Sequence, residues 1–85
     1  MKYSYYAIFE KDKDDPSFIN VTFPDIIPGV TCGDSFDDAL YMAKDLLELM
    51  LKEAPHQCFP PTSLEKLKIE FPGKEFVLVE VEINK

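Results

Sequence analysis

The stretch from Phe36 to Ala54 constrains the fold more than any other part of the chain. Ser35 stands where a helix N-cap belongs, and Asp38 occupies the capping-box position usually held by Glu or Gln. Asp37 and Asp38 also set negative charge against the positive end of the helix dipole. Apolar residues follow at Phe36, Leu40, Ala43, Leu47 and Met50, spaced four, three, four and three, which is one helical stripe. Pro55 should stop the helix near Glu53 or Ala54. Ala39, Met42, Leu46 and Leu49 widen the stripe. Such a helix is either sunk deep between a sheet and the loop after it, or meets a second subunit along its flank.

The sheet this helix needs is written around it. Tyr3 to Glu10 is rich in aromatic and β-branched residues and reads as a strand. The charged run Lys11 to Pro16 cannot bury itself and predicts a hairpin loop. Phe18 to Phe23 alternates Ile19, Val21 and Phe23 against Phe18, Asn20 and Thr22. Pro24 stops pairing, Pro28-Gly29 signals a turn, and Val30 to Cys32 forms a short strand ended by Gly33. Beyond the helix, His56 to Thr62 is a proline-rich loop, and Ser63 to Leu67 is long enough for one helical turn. Pro72-Gly73 is a type II turn signature. Phe76 to Ile83 is the last strand. Val77, Val79, Val81 and Ile83 form an apolar face suited to lie under the helix, while Phe76, Leu78, Glu80 and Glu82 form a half-acidic one. The expected fold is therefore α+β, in the order β-β-β-α-β, with one long helix on one face of a four-stranded sheet. A helical crossover after a meander predicts a last strand parallel to an earlier one, and so a mixed sheet.

Eighty-five residues make one domain, taken here as 1–85. A chain this short buries only about 60–65% of the surface its unfolded form exposes, so association between copies would help it. The net charge is −7, and every basic side chain is Lys because Arg is absent. Nucleic-acid binding rests on phosphate neutralisation and on bidentate Arg contacts, so direct binding is not expected. A basic protein partner would be steered toward such a chain. Cys32 and Cys58 are too few for a disulfide framework. The start of the sequence shows no signal peptide and no run of transmembrane length, so the expectation is cytoplasmic and not membrane-bound.

No catalytic constellation emerges. The single histidine, His56, lies in the proline-flanked loop two residues from Cys58, with Cys32 far upstream. That spacing matches no zinc pattern and lacks a fourth ligand. Asp12, Asp14 and Asp15 alternate like a calcium loop, but the required glycine and closing glutamate are not in place. Neither metal nor cofactor is expected, and the chain does not read as an enzyme.

Several of these signals recur together in a known family. Phe23-Pro24-Asp25, then Pro28-Gly29, then Gly33-Asp34-Ser35 leading into Asp38-Ala39-Leu40 and Ala43-Lys44 resembles the signature of the HicB antitoxins. Tyr3, Tyr5, Tyr6, Ala7 and Phe9 match that family's opening strand, and Val77 to Ile83 its close. Two departures are local: Ile26-Ile27 stands where one residue is usual, and Gly29 to Gly33 is one residue shorter. The resemblance implies a partial ribonuclease H-like sheet with a helix on one face. It also implies binding and occlusion of a HicA-type toxin, a small mRNA-cleaving protein. Many family members carry a C-terminal DNA-binding module. None is expected here, because the sequence stops at Lys85 straight after the last strand.

Two functions follow as expectations. One is an antitoxin-type domain that occludes a basic HicA-like toxin, with Tyr41, Asp45 and Glu48 on the outer helix face and Glu80 and Glu82 on the open sheet face as contact candidates. The other is a stand-alone regulatory or oligomerisation module without a toxin, using Tyr6, Ile8, Phe76 and Leu78 to associate into a homo-oligomer, with a dimer as the first guess. A ribonuclease H-like fold alone does not argue for activity, because that chemistry needs clustered carboxylates holding two metal ions.

Overall fold

The computed structural model describes residues 1–84. Strand β1 (Lys2–Lys11) turns into β2 (Ile19–Thr22), followed by β3 (Val30–Gly33), helix α1 (Phe36–Glu53), a 3-10 turn (Pro55–Gln57), helix α2 (Leu64–Glu70) and β4 (Glu75–Glu82). The hairpin loop between β1 and β2 is held by Asp12. Its carboxylate accepts from the Asp14 and Asp15 amides at 3.1 and 3.0 Å and from the Asn20 side chain at 2.9 Å. These donors, Asn20 first, hold the Asp12 carboxyl below its ordinary pKa.

The sheet runs β3-β2-β1-β4, and every pairing in it is antiparallel. The expected mixed sheet is therefore corrected, and the reason lies in the connection. The C-terminal end of α1 sits beside Tyr3, Tyr5 and Ile83, at the start of β1. A direct crossover from there would enter β4 parallel to β1. Instead Glu75 pairs with Phe9 at the far end of β1, and Glu82 with Lys2. The segment from Pro55 to Lys74 climbs back along the sheet before β4 begins, and α2 makes part of that climb. The single helical turn expected at Ser63 to Leu67 is a full short helix to Glu70, with the Ser63 hydroxyl accepting from the Lys66 amide at 3.3 Å.

Helix α1 lies across one face of the sheet, here the near face. Its cap follows the sequence signal with one change. The Ser35 hydroxyl accepts from the Asp38 amide at 3.0 Å, but the Asp38 carboxylate reaches back to the amide of Asp34, not to that of Ser35. The buried stripe is Ala39, Ala43, Leu47 and Met50. It is rotated from the expected one. Leu40 is only partly buried, and Phe36 is 48% exposed, lying against the Phe9 ring with centroids 5.4 Å apart. Alanines on the contact line let the helix approach the sheet closely, and the phase of the helix follows them. Beneath it lie Tyr5, Ala7, Phe9, Val21, Phe23, Val79, Val81 and Ile83 in one cluster.

Alternation along β1 sends Ile8 to the opposite, far face, yet Ile8 is only 4% exposed. Leu67 of α2 is 1% exposed and stands outside the cluster beneath α1. The ion pair between Lys74 and Glu10, whose side chain shares the parity of Ile8, brings the residue just before β4 to that same far face. At the end of the climb, Gly73 takes φ 77° in the turn before β4, as the Pro-Gly pair predicts.

Candidate interaction surfaces

The outer face of α1 carries Tyr41, Asp45 and Glu48, spaced so that all three share one side of the helix. Tyr41 is 69% exposed. Glu48 is ion-paired with Lys52 at 2.8 Å, one helical turn on. Asp45, Glu48, Leu49 and Lys52 border a shallow depression of ≈ 220 Å³. The surface is thus a helix ridge with acids, one exposed aromatic ring and a half-exposed leucine.

Glu80 and Glu82 do not join it. Both lie on the far face, where Glu80 accepts from the Ser4 hydroxyl at 3.1 Å and Glu82 stands opposite Lys2. The thickness of the sheet separates them from α1, so the five contact candidates lie on two surfaces, the helix ridge and the open sheet face. The proposed association patch is changed. Tyr6 and Leu78 are cross-strand neighbours, as are Ile8 and Phe76, so the four do cluster. Ile8, however, is covered within the chain and has nothing to offer a second copy. Leu78 is 45% exposed and remains the open apolar point of the patch.

The Phe23-Pro24-Asp25 turn has a role that its residue types alone do not reveal. The two Asp25 carboxylate oxygens accept from the Thr62 amide at 2.8 Å and the Thr62 hydroxyl at 2.7 Å, while its carbonyl accepts from Phe59 at 2.8 Å. Ile26 bridges to Cys58, and the Tyr5 hydroxyl donates to the Phe59 carbonyl at 2.8 Å. The proline-rich loop is thereby clasped to the turn. Nothing local to Thr62 signals this, since its partner lies 37 residues away. Pro28-Gly29 closes the same turn, the Gly29 carbonyl accepting from the Phe23 amide at 2.7 Å.

Beside the clasp, Tyr3, Tyr5, Leu51, Lys52, Pro55, Cys58, Ile83 and Asn84 enclose a pocket of ≈ 500 Å³ that the sequence reading missed. Burial raises the pKa of the Cys58 thiol. Burial also raises the Tyr5 phenol, with smaller contributions from Cys58, Asp25 and Tyr3. Because the folded-state pKa of Tyr5 is raised, its contribution is complete below the unfolded value of about 10 and is lost as pH rises through the folded value. Tyr5→Phe should therefore cost about 0.5–1.5 kcal/mol at pH 7 through the lost hydrogen bond, and should flatten the decline in stability above about pH 10. Urea unfolding at the two pH values measures both effects. Cys32 and Cys58 are free thiols, and among the described residues no group of three or more His, Cys, Asp or Glu is placed to hold a metal ion.

No protein-family model matches the chain, and no curated protein matches it in sequence. Solved structures do. The N-terminal domain of the antitoxin HicB from Burkholderia pseudomallei superposes with a TM-score of 0.76 at 26% identity, over 95% of this chain and 100% of that one. The chain is a HicB-like N-terminal domain. The longer Burkholderia pseudomallei HicB structure superposes with a TM-score of 0.77 at 25% identity, and this chain spans 64% of its length. In the HicB-like domain the turn, the cap and the start of α1 are framework. Gly33 lies under the first turn of the helix, and Asp25 holds the returning loop. No helix among the described residues is long and apolar enough to cross a membrane.

Proposed function

We propose that this HicB-like domain is a non-enzymatic, cytoplasmic antitoxin module that binds a HicA-type mRNA-cleaving toxin and covers its basic RNA-contacting surface. The observation that carries the reading is the likeness to the HicB antitoxin over 95% of the chain. The charge of −7 and the absence of Arg support it, since an acidic domain occupies a basic, RNA-binding surface by charge complementarity. The α1 ridge is the better of the two acidic surfaces. There Tyr41 offers an exposed aromatic anchor beside Asp45 and Glu48, whereas on the far face Glu80 is engaged by the Ser4 hydroxyl and Glu82 stands opposite Lys2. The ribonuclease H-like shape serves as scaffold in this proposal. Glu10, the one carboxylate inside β1, is engaged by Lys74.

Co-expression with the basic protein encoded beside this chain tests the proposal, the expected results being a stable complex and relief of growth arrest. Absence of both would sink it. Reversing Asp45 and Glu48 together to Lys should weaken the complex roughly tenfold at low salt and flatten its salt dependence, because exposed charges at a rim act through screened attraction. Unchanged affinity would remove the α1 ridge from the interface.

A further inference from the structure

The far edge of β4 is open. Among the described residues β4 pairs with β1 alone, in an unbroken register from Glu75 to Glu82 without a bulge or proline. The direction of its backbone groups follows from the end of the ladder. Met1 donates to the Ile83 carbonyl at 2.8 Å, and the Ile83 amide donates to the Met1 carbonyl at 2.8 Å, which makes them a hydrogen-bonded pair. Antiparallel ladders alternate, so Val81, Val79, Val77 and Glu75 also point their backbone groups at β1. Phe76, Leu78, Glu80 and Glu82 point theirs at the open edge. A strand of this length with outward amides and carbonyls is a template for another strand.

We propose that this edge pairs antiparallel with β4 of a second copy of the chain, about a two-fold axis through Val77, to form an eight-stranded sheet. The side chains select the copy and the register. With the axis at Val77, Leu78 of each copy faces Phe76 of the other, and Glu80 of each faces Lys74 of the other. The two Val77 residues meet as a non-hydrogen-bonded pair. Moving the axis to Leu78 sets Phe76 against Glu80, and moving it to Val79 sets both apolar residues against acids. An axis at Glu80 places the two Glu80 carboxylates opposite each other. Among the axes from Val77 to Glu80, the Val77 register alone sets no far-face apolar side chain against an acid, although on the near face Val79 meets Glu75. The Leu78 register also brings Lys74 opposite an acid, Glu82, but places Phe76 against Glu80. It also keeps the C-terminal ends of the two α1 helices, beside Ile83, at opposite ends of the shared ladder. The pairing uses the edge and far face of β4 and does not depend on the toxin-binding reading.

The test places a single cysteine at Val77, Leu78 or Val79 in a chain carrying Cys32→Ser and Cys58→Ser, followed by mild oxidation. At the proposed axis two cysteines at position 77 lie about 4.5 Å apart between Cα atoms, within disulfide reach. Cysteines at 78 or 79 are offset along the strands beyond about 7 Å and should not link. Sedimentation equilibrium of the unmodified chain should show a reversible dimer. Leu78→Lys, at a half-exposed position, should raise its dissociation constant roughly tenfold while leaving the circular dichroism spectrum intact. A chain that stays monomeric to millimolar concentration overturns the proposal. Linking at 78 or 79 in place of 77 overturns the register, and an edge occupied only when a different protein is added overturns the choice of a second copy.

Discussion

Replacing Gly33 with alanine is expected to remove roughly 3 kcal/mol or more of folding stability, a large share of the about 4–13 kcal/mol available to a chain of this size. A Cβ at this position would stand 2.3 Å from the amide nitrogen of Ala39, 2.6 Å from its Cα and 2.8 Å from the carbonyl carbon of Asp38. All three are backbone atoms in the first turn of α1, so no flexible side-chain end can swing aside. Relief requires lifting the helix start from β3, which exposes Ala39 and Ala43, both fully buried, and pulls on the cap between Ser35 and Asp38. Gly73→Ala is the control. Nothing lies within 4 Å of its Cβ, and only the φ of 77° opposes the change, at a cost of about 1 kcal/mol. Urea midpoints that order wild type, then the Gly73 variant, then the Gly33 variant would support this packing. Equal midpoints for the two variants would mean that the helix does not sit directly on β3.

Leu47→Ala should cost about 2–5 kcal/mol. The side chain is fully buried at the middle of α1, and the neighbours it packs with, from Ala7 on β1 to Val79 on β4, belong to a rigid sheet that cannot collapse into the space left behind. The same truncation at Leu49, which is 53% exposed, should change stability by less than about 0.5 kcal/mol. Leu40, partly buried, should fall between them. The order Leu47, Leu40, Leu49 reports the phase of the helix. If Leu40 proved as costly as Leu47, the stripe would follow the leucine spacing of the sequence and not the alanines.

The ridge of α1, with Tyr41, Asp45 and Glu48 on one side, was legible in the sequence because helical periodicity fixes which residues share a face. The same holds for Glu80 and Glu82 on the open sheet face, apart from that ridge. Strand parity places those two on the face away from Val79 and Val81, but a sequence does not tell how far apart two faces end up.

Local chemistry determined the elements themselves. The Ser35 cap, the alternation of Val77 to Ile83, the Pro-Gly turn at Gly73 and the polar hairpin at Asp12 each depend on residues within a few positions of one another, and each appears where the sequence puts it. Tertiary structure alone decided the direction of β4, the burial of Ile8 and the clasp between Asp25 and Thr62. The first and the last turn on the path of Pro55 to Lys74, a segment with little periodicity of its own. That path is set by contacts between residues far apart in sequence: Thr62 with Asp25, Phe59 with Tyr5, and Lys74 with Glu10. Such contacts become favourable only when the sheet and α1 are already in place to meet them, so no window of the sequence contains their energy.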